Sequence, residues 1–272
     1  MPVVSPSSPT KVGPFHVMQP LPSSSLDHVG PFVLLHHGMS ELPPQSAHRI
    51  SPHPHRGFSP VSLIFQGEIL HKDSAGNEGV VGPGGAQWLD AGSGVVHSEG
   101  PSEEFSRKGG LIELIQLWIN VPAANKMDSP TYASYSAPEF PEVGGLKLVA
   151  GAVNEQSGPA KTHSPLLIMF GSLQAGKDFS TEKKEGFEYL VYVLKGSVSS
   201  QGQICSAKQM MVFSAQEHPV LHANEDAAIV FLGGLPINEP MASYGPFVMN
   251  TFHEIHQAIE DFQNGRMGIL DS

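Results

Sequence analysis

The chain has 272 residues and a mass of 29.1 kDa, the size of one large β unit or of two domains of about 130 residues each. Charged residues make up only 15%, while Gly and Pro number 29 and 24, which excludes coiled coils and helical bundles and favours short strands joined by turns. A net charge of −11 excludes direct nucleic-acid binding, which depends on Lys and Arg neutralising phosphates, and the single Cys205 excludes an internal disulfide.

The N-terminal stretch MPVVSPSSPTKVGPF has neither the basic nor the apolar region of a secretory signal, and no apolar run approaches the ~18 residues of a membrane span. The expectation is a soluble cytoplasmic protein, nuclear as well in a eukaryote, with no membrane partner and acting as a monomer. From Pro31 to about Ile119, runs such as PFVLLHHG, PVSLIFQGEILH, AQWLDAG and GLIELIQLWINV alternate with Gly, Pro, Asn and Asp, an all-β rhythm. The Pro- and Ala-rich stretch that follows reads as a linker over residues 126–145, separating domains over 1–125 and 146–272. The β rhythm then resumes in LKLVAGAV, PLLIMFGSL, FEYLVYVLKGSV, QMMVFSA and AAIVFLGG. Only the tail has helical spacing: Phe252, Ile255, Ile259 and Phe262 predict an amphipathic helix that stops at Gly265.

The two halves resemble each other. Residues 53–67 laid over 182–196 align Gly57 and Phe58 with Gly186 and Phe187, and Gly67 with Gly196, across a shared apolar run, so duplication is expected. In that register His53 and His55 fall on Glu182 and Lys184, so only the first half carries a histidine pair there.

Fourteen histidines are the compositional oddity. His53 and His55 form a His-x-His pair, and His97 and Glu99 a His-x-Glu pair. Residues i and i+2 of a strand project to one face, so each pair can send two ligands into one cavity. Chance alone supplies about one pair of each kind in a chain of this composition. Context raises them above chance: the first pair precedes a Gly-bounded strand, and the second follows a Pro-Gly turn, a strand through Trp88 and Leu89, and an Asp-Ala-Gly turn. Three imidazoles and a carboxylate suit a first-row metal: Fe(II), Mn, Ni, Cu or Zn.

HPHRGF, followed about forty residues on by GPGGAQWLDAGSGVVHSE, resembles the signature of the pirin family, a branch of the bicupins. DHVGPF near the start and GGLPINEPMASYGPFVMN near the end extend the resemblance over nearly the whole chain. It implies two β-sandwich cupin domains packed face to face, with one non-haem iron in the N-terminal domain held by His53, His55, His97 and Glu99. It also implies quercetin 2,3-dioxygenase activity, the cleavage of a flavonol by O2 with release of CO; because a firmly bound carboxylate is a poor base, Glu99 is expected to be a labile ligand that leaves the metal to accept the proton. The alternative it carries is a metal-dependent regulator, such as a transcription co-regulator, acting through a protein partner. Two positions depart from the family's usual acidic residues: Ser59 after HPHRGF and Gly85 after the Pro-Gly turn.

The remaining candidates have plainer readings. His36 and His37 face opposite ways on a strand. His218 and His222 read as remnants or ordinary residues of the second half, and His253 and His256 as a solvated helix face. Trp88 and Trp118 read as core, Glu103 and Glu104 as a solvated loop, and Asp90 as a turn residue. Cys205 lacks the neighbours of a nucleophile.

Overall fold

The computed structural model describes residues 1–46 and 48–270. It is built almost wholly of short antiparallel strands, with a C-terminal helix over Phe252–Gln263. Contacts group the chain into two units. One comprises Thr10–Val17, Gly38–Ser136 and Ile237–Ser272, and the other Met1–Pro9, Met18–His37 and Ala137–Pro236.

In the unit that carries the histidine pairs, the larger sheet runs Thr131–Tyr135, Ala86–Asp90, Phe58–Gln66, Gly110–Asn120, Phe32–Leu42, Phe15–Leu21 and Ser8–Val12. The smaller runs Ile50–His55, Val95–Pro101, Ile69–Asp73 and Glu78–Val81. Phe58–Gln66 is central in its sheet, with Val61, Leu63 and Ile64 fully buried, which accounts for an apolar run without clean alternation. Leu42, Ile64 and Ile112 of the larger sheet pack on Ile69 and Val81 of the smaller, a sandwich core.

The second unit repeats this plan. Its larger sheet runs Val3–Pro6, Gln209–Phe213, Glu188–Lys195, Ala227–Gly234, Leu166–Leu173, Leu146–Ala150 and Glu142–Val143, and its smaller Asp178–Ser180, Val220–Ala223, Ser197–Ser200 and Gln203–Ser206. Glu188–Lys195 holds the same central place as Phe58–Gln66. The glycines aligned by the sequence repeat share a left-handed backbone: φ is +83° and +75° at Gly57 and Gly186, and +78° and +76° at Gly67 and Gly196. These turns are the chemistry that the sequence repeat had detected.

The division differs from two consecutive halves in four places, one being that Met18–His37 group with the second unit. Thr131–Tyr135, inside the expected linker, pairs with Ala86–Asp90 (Tyr132 opposite Leu89, Ala133 opposite Trp88) because its flanking prolines lie outside the paired residues. Val3–Pro6 adds an edge strand to the second unit, and residues after Ile237 return to the first.

The helix differs from its predicted face. Ile255 and Ala258 are buried, but Phe252 is 64% and Phe262 39% exposed, and the third buried position is Asp261. The cause is a buried cation: Asp261 Oδ2 lies 2.8 Å from Arg56 Nη1, which turns the helix away from the all-apolar stripe. Thr251 and Glu254 form a capping box at its start, and Gly265 follows its end at φ +70°. Glu103 and Glu104 open a six-residue helix rather than lying in a loop: Ser102 caps it by accepting from Phe105 N–H at 3.0 Å, in a segment too short to show a period.

Candidate metal centre

Three neighbouring strands of the smaller sheet of the first unit build the site. Each carries an i, i+2 pair: His53 and His55 on Ile50–His55, His97 and Glu99 on Val95–Pro101, and His71 and Asp73 on Ile69–Asp73. Pairing sets His97 opposite both His53 and Asp73, and Glu99 opposite His71. The register against Ile50–His55 shifts between His97 and Glu99. That irregularity changes the aim of Glu99 relative to His97, which strand parity alone does not anticipate.

One imidazole nitrogen from each of His53, His55 and His97 lies within 4.8 Å of the other two, a group that could hold a metal ion. Glu99 instead groups with His97 and His71, and its carboxylate accepts a short hydrogen bond from the Gln87 amide. The structure thus brings together the three expected histidines and holds the expected carboxylate beside His97. These two groups are the only clusters of this kind among the described residues.

The donor set fits a divalent cation. His53 Nδ1 donates to the Ser51 carbonyl at 2.9 Å and His55 Nδ1 to the Pro246 carbonyl at 3.2 Å, which leaves both Nε2 lone pairs bare. His97 Nε2 sits 3.0 Å from His53 Nε2, so the two rings converge on one space. Burial, then the neighbouring imidazoles, push His55 and His97 well below the ordinary histidine range, so both are neutral and ready to ligate at pH 7. His97 is 1% and His55 3% exposed, whereas His53 is half-buried at the open side of the cluster.

Aromatic rings wall the cluster. Trp118 meets His55 edge-on at 5.3 Å and lies 4.4 Å from the Phe58 ring, so it belongs to the site wall rather than to the core reading given from sequence. Trp88 is buried and donates to Asp90 at 2.9 Å. Ser59 also donates to Asp90, at 2.5 Å, and Thr131 does so at 3.2 Å, so Asp90 ties three strands together. At Gly85 a Cβ would lie 2.6 Å from the Tyr135 carbonyl oxygen, so the backbone leaves no room for the acidic side chain common in the family.

Sequence reasoning missed His71, Asp73, Gln87 and Tyr132. The first two had a signal, since His71-x-Asp73 repeats the spacing of the two pairs that were found. Gln87 and Tyr132 had none, because their roles come only from cross-strand neighbours.

The second unit has no such cluster among its described residues. In its smaller sheet the buried apolar positions are Phe179, Val198, Cys205, Leu221 and Ala223, part of an apolar core. His222 lies on the outer face and pairs with exposed Asp178 at 2.7 Å. Cys205 is fully buried, its thiol pushed up to about 12 by burial, which makes it inert.

Comparison with known proteins agrees with this architecture. Residues 14–119 match the family profile Pirin and residues 168–268 the Pirin C-terminal cupin domain. A Pseudomonas aeruginosa protein named "Putative quercetin 2,3-dioxygenase" is 40% identical over 248 residues, 88% of this chain and 87% of its own. Pirin-1 of Arabidopsis thaliana is 35% identical over 79% of this chain and 77% of its own. A crystal structure of quercetin 2,3-dioxygenase from Acinetobacter baumannii superposes with a TM-score of 0.90 at 37% identity, covering 98% of this chain and 97% of that one. A bacterial pirin from Escherichia coli, crystallised with nickel(II), shares the fold with a TM-score of 0.72 at 20% identity, covering 87% of this chain and 99% of that one. The chain is a bicupin and belongs to the pirin family.

Proposed function

We propose that this protein is a metal-dependent dioxygenase of the quercetinase type, holding Fe(II) through His53, His55 and His97, with Glu99 as an exchangeable fourth ligand and proton acceptor. The observation that carries the reading is the convergence of three imidazoles, two of which have their outer N–H held by a backbone carbonyl. The names of the relatives support the substrate class, quercetin with O2 as co-substrate. Bound there, the metal would supply Lewis acidity toward an enolic hydroxyl and open positions for O2.

The protein's own groups would do the rest. Trp118 and Phe58 offer aromatic surface beside His55, suited to a flat polyphenol. Gln87 holds Glu99 and is itself oriented by the Tyr132 hydroxyl, which donates to Gln87 Oε1 at 3.4 Å. The carboxylate can therefore stay near His97 without occupying a ligand position. From there it can accept the hydroxyl proton of an arriving substrate.

The test is oxygen uptake and CO release with quercetin, using the Fe(II)-loaded protein. His97→Ala should abolish both metal retention and turnover. Glu99→Gln should keep most of the metal while turnover falls about 100-fold or more. Metal binding without any oxygen uptake would overturn the catalytic reading and leave a metal-dependent binding protein.

A further inference from the structure

Each histidine ligand proposed above must present a bare nitrogen inward and therefore needs an acceptor for its other N–H. His53 and His55 use backbone carbonyls. His97 has no carbonyl on its outer nitrogen. Its Nδ1 lies 3.4 Å from Nδ1 of His71, whose Nε2 lies 3.0 Å from the Asp73 carboxylate. A carboxylate only accepts, so His71 Nε2 carries a proton, and in the neutral imidazole His71 Nδ1 is then a bare acceptor. His97 must then carry its proton on Nδ1 and donate it to His71, which leaves His97 Nε2 bare on the side of His53.

Every member of this line is fixed from outside. Asp73 Oδ1 accepts from the backbone N–H groups of Ala75 at 2.9 Å and Asn77 at 3.0 Å, and Asn77 Nδ2 holds Oδ2 at 2.9 Å, so the carboxylate cannot turn away. The His71 ring stacks on Tyr132 at 4.2 Å and 7°, which sets its plane. All three residues are buried, with His71 and His97 each 1% exposed.

We propose that Asp73 and His71 are positioning residues that dictate the tautomer of His97, so that the turn at residues 74–77 sets which nitrogen His97 offers to the metal. This rests on the metal site proposed above and adds an outer layer to it. It also assigns His71 the role of acceptor rather than ligand. The rival grouping of His71, His97 and Glu99 around a second cation would need His97 Nδ1 bare, the opposite tautomer.

The discriminating substitution is Asp73→Asn. Its oxygen can still take the turn N–H groups, but its amide donates toward His71 Nε2. His71 then moves its proton to Nδ1, facing His97, and His97 must move its own to Nε2. His71→Phe keeps a ring against Tyr132 and removes the acceptor. Two measurements on the full chain decide the matter: the ring tautomers by 15N NMR without metal, and Ni2+ affinity and stoichiometry by chelator competition. The parent should show His97 protonated at Nδ1 and bind one Ni2+ per chain. Both variants should bind Ni2+ about 10- to 100-fold more weakly, and Asp73→Asn should show the reversed tautomers. Equal Ni2+ affinity in parent and variants, a parent His97 protonated at Nε2, or two Ni2+ per chain would each overturn the inference while leaving the metal site standing. A parent that binds no more Ni2+ than His97→Ala would overturn the metal site itself, and the inference with it.

Discussion

At the scale of single residues, this protein keeps several histidines buried and neutral, and that has a cost in acid. His36, held against the Gln19 side chain at 2.8 Å, is lowered by burial from 6.5 to about 4. Below pH 6.5 the unfolded chain takes up a proton that the folded state refuses, so stability falls as pH drops from 6.5 and levels off below 4. The loss from this residue amounts to at most about 3 kcal/mol. Urea midpoints of His36→Gln should therefore fall less between pH 7 and pH 4 than those of the parent; parallel curves would contradict the assignment. Residue identity was legible in sequence wherever two groups shared a strand, as with His53 and His55. It was illegible where the partner came from another strand: nothing near Gln87 in sequence reveals that it holds Glu99.

At the scale of elements, the C-terminal helix shows what a hydrophobic period can and cannot predict. Its span and ends follow from local chemistry, namely the Thr251–Glu254 box and Gly265. Its orientation follows from Arg56, which lies in HPHRGF, some two hundred residues earlier in the chain. The Arg56 side chain is only 4% exposed; it donates to the Ser93 carbonyl at 2.7 Å and pairs with Asp261. Arg56→Ala should leave Asp261 with only Arg266 and Gln257 as partners and destabilise the first unit by about 1–3 kcal/mol. Denaturant unfolding checks the magnitude, and hydrogen exchange should show the helix amides opening first. Strands were easier to place than their neighbours. The run VSLIF announces a buried strand, but TYASY joins a sheet only because Ala86–Asp90 offers it a free edge.

At the scale of the whole molecule, the chain is a duplicated cupin in which corresponding strands met different fates. The first unit's small sheet buries imidazoles and carboxylates, and the second's buries Phe179, Val198, Cys205, Leu221 and Ala223. The tail then returns to the unit that holds the histidines. Pro246 supplies the carbonyl for His55, and Lys126, buried and lowered by that burial to about 8, donates to the carbonyls of Gly57 and Val248. A chain ending at residue 236 should therefore lose Ni2+ binding, although all of its presumed ligands remain. Equilibrium dialysis would show this, and retained binding would mean that the tail merely covers the site.

Sequence by itself determined the class of fold, the repeat, the span of the helix and the three histidines. Those depend on spacing along one strand, on glycines at left-handed turns, and on motifs long enough to identify a family. Only the tertiary structure decided which residues serve the ligands rather than join them. His71 and Asp73 have the same spacing as the proposed ligand pairs, and only their contacts across neighbouring strands set them apart. The aim of Glu99 was also decided there, because the register shift and the Gln87 amide act through contacts that no local pattern encodes.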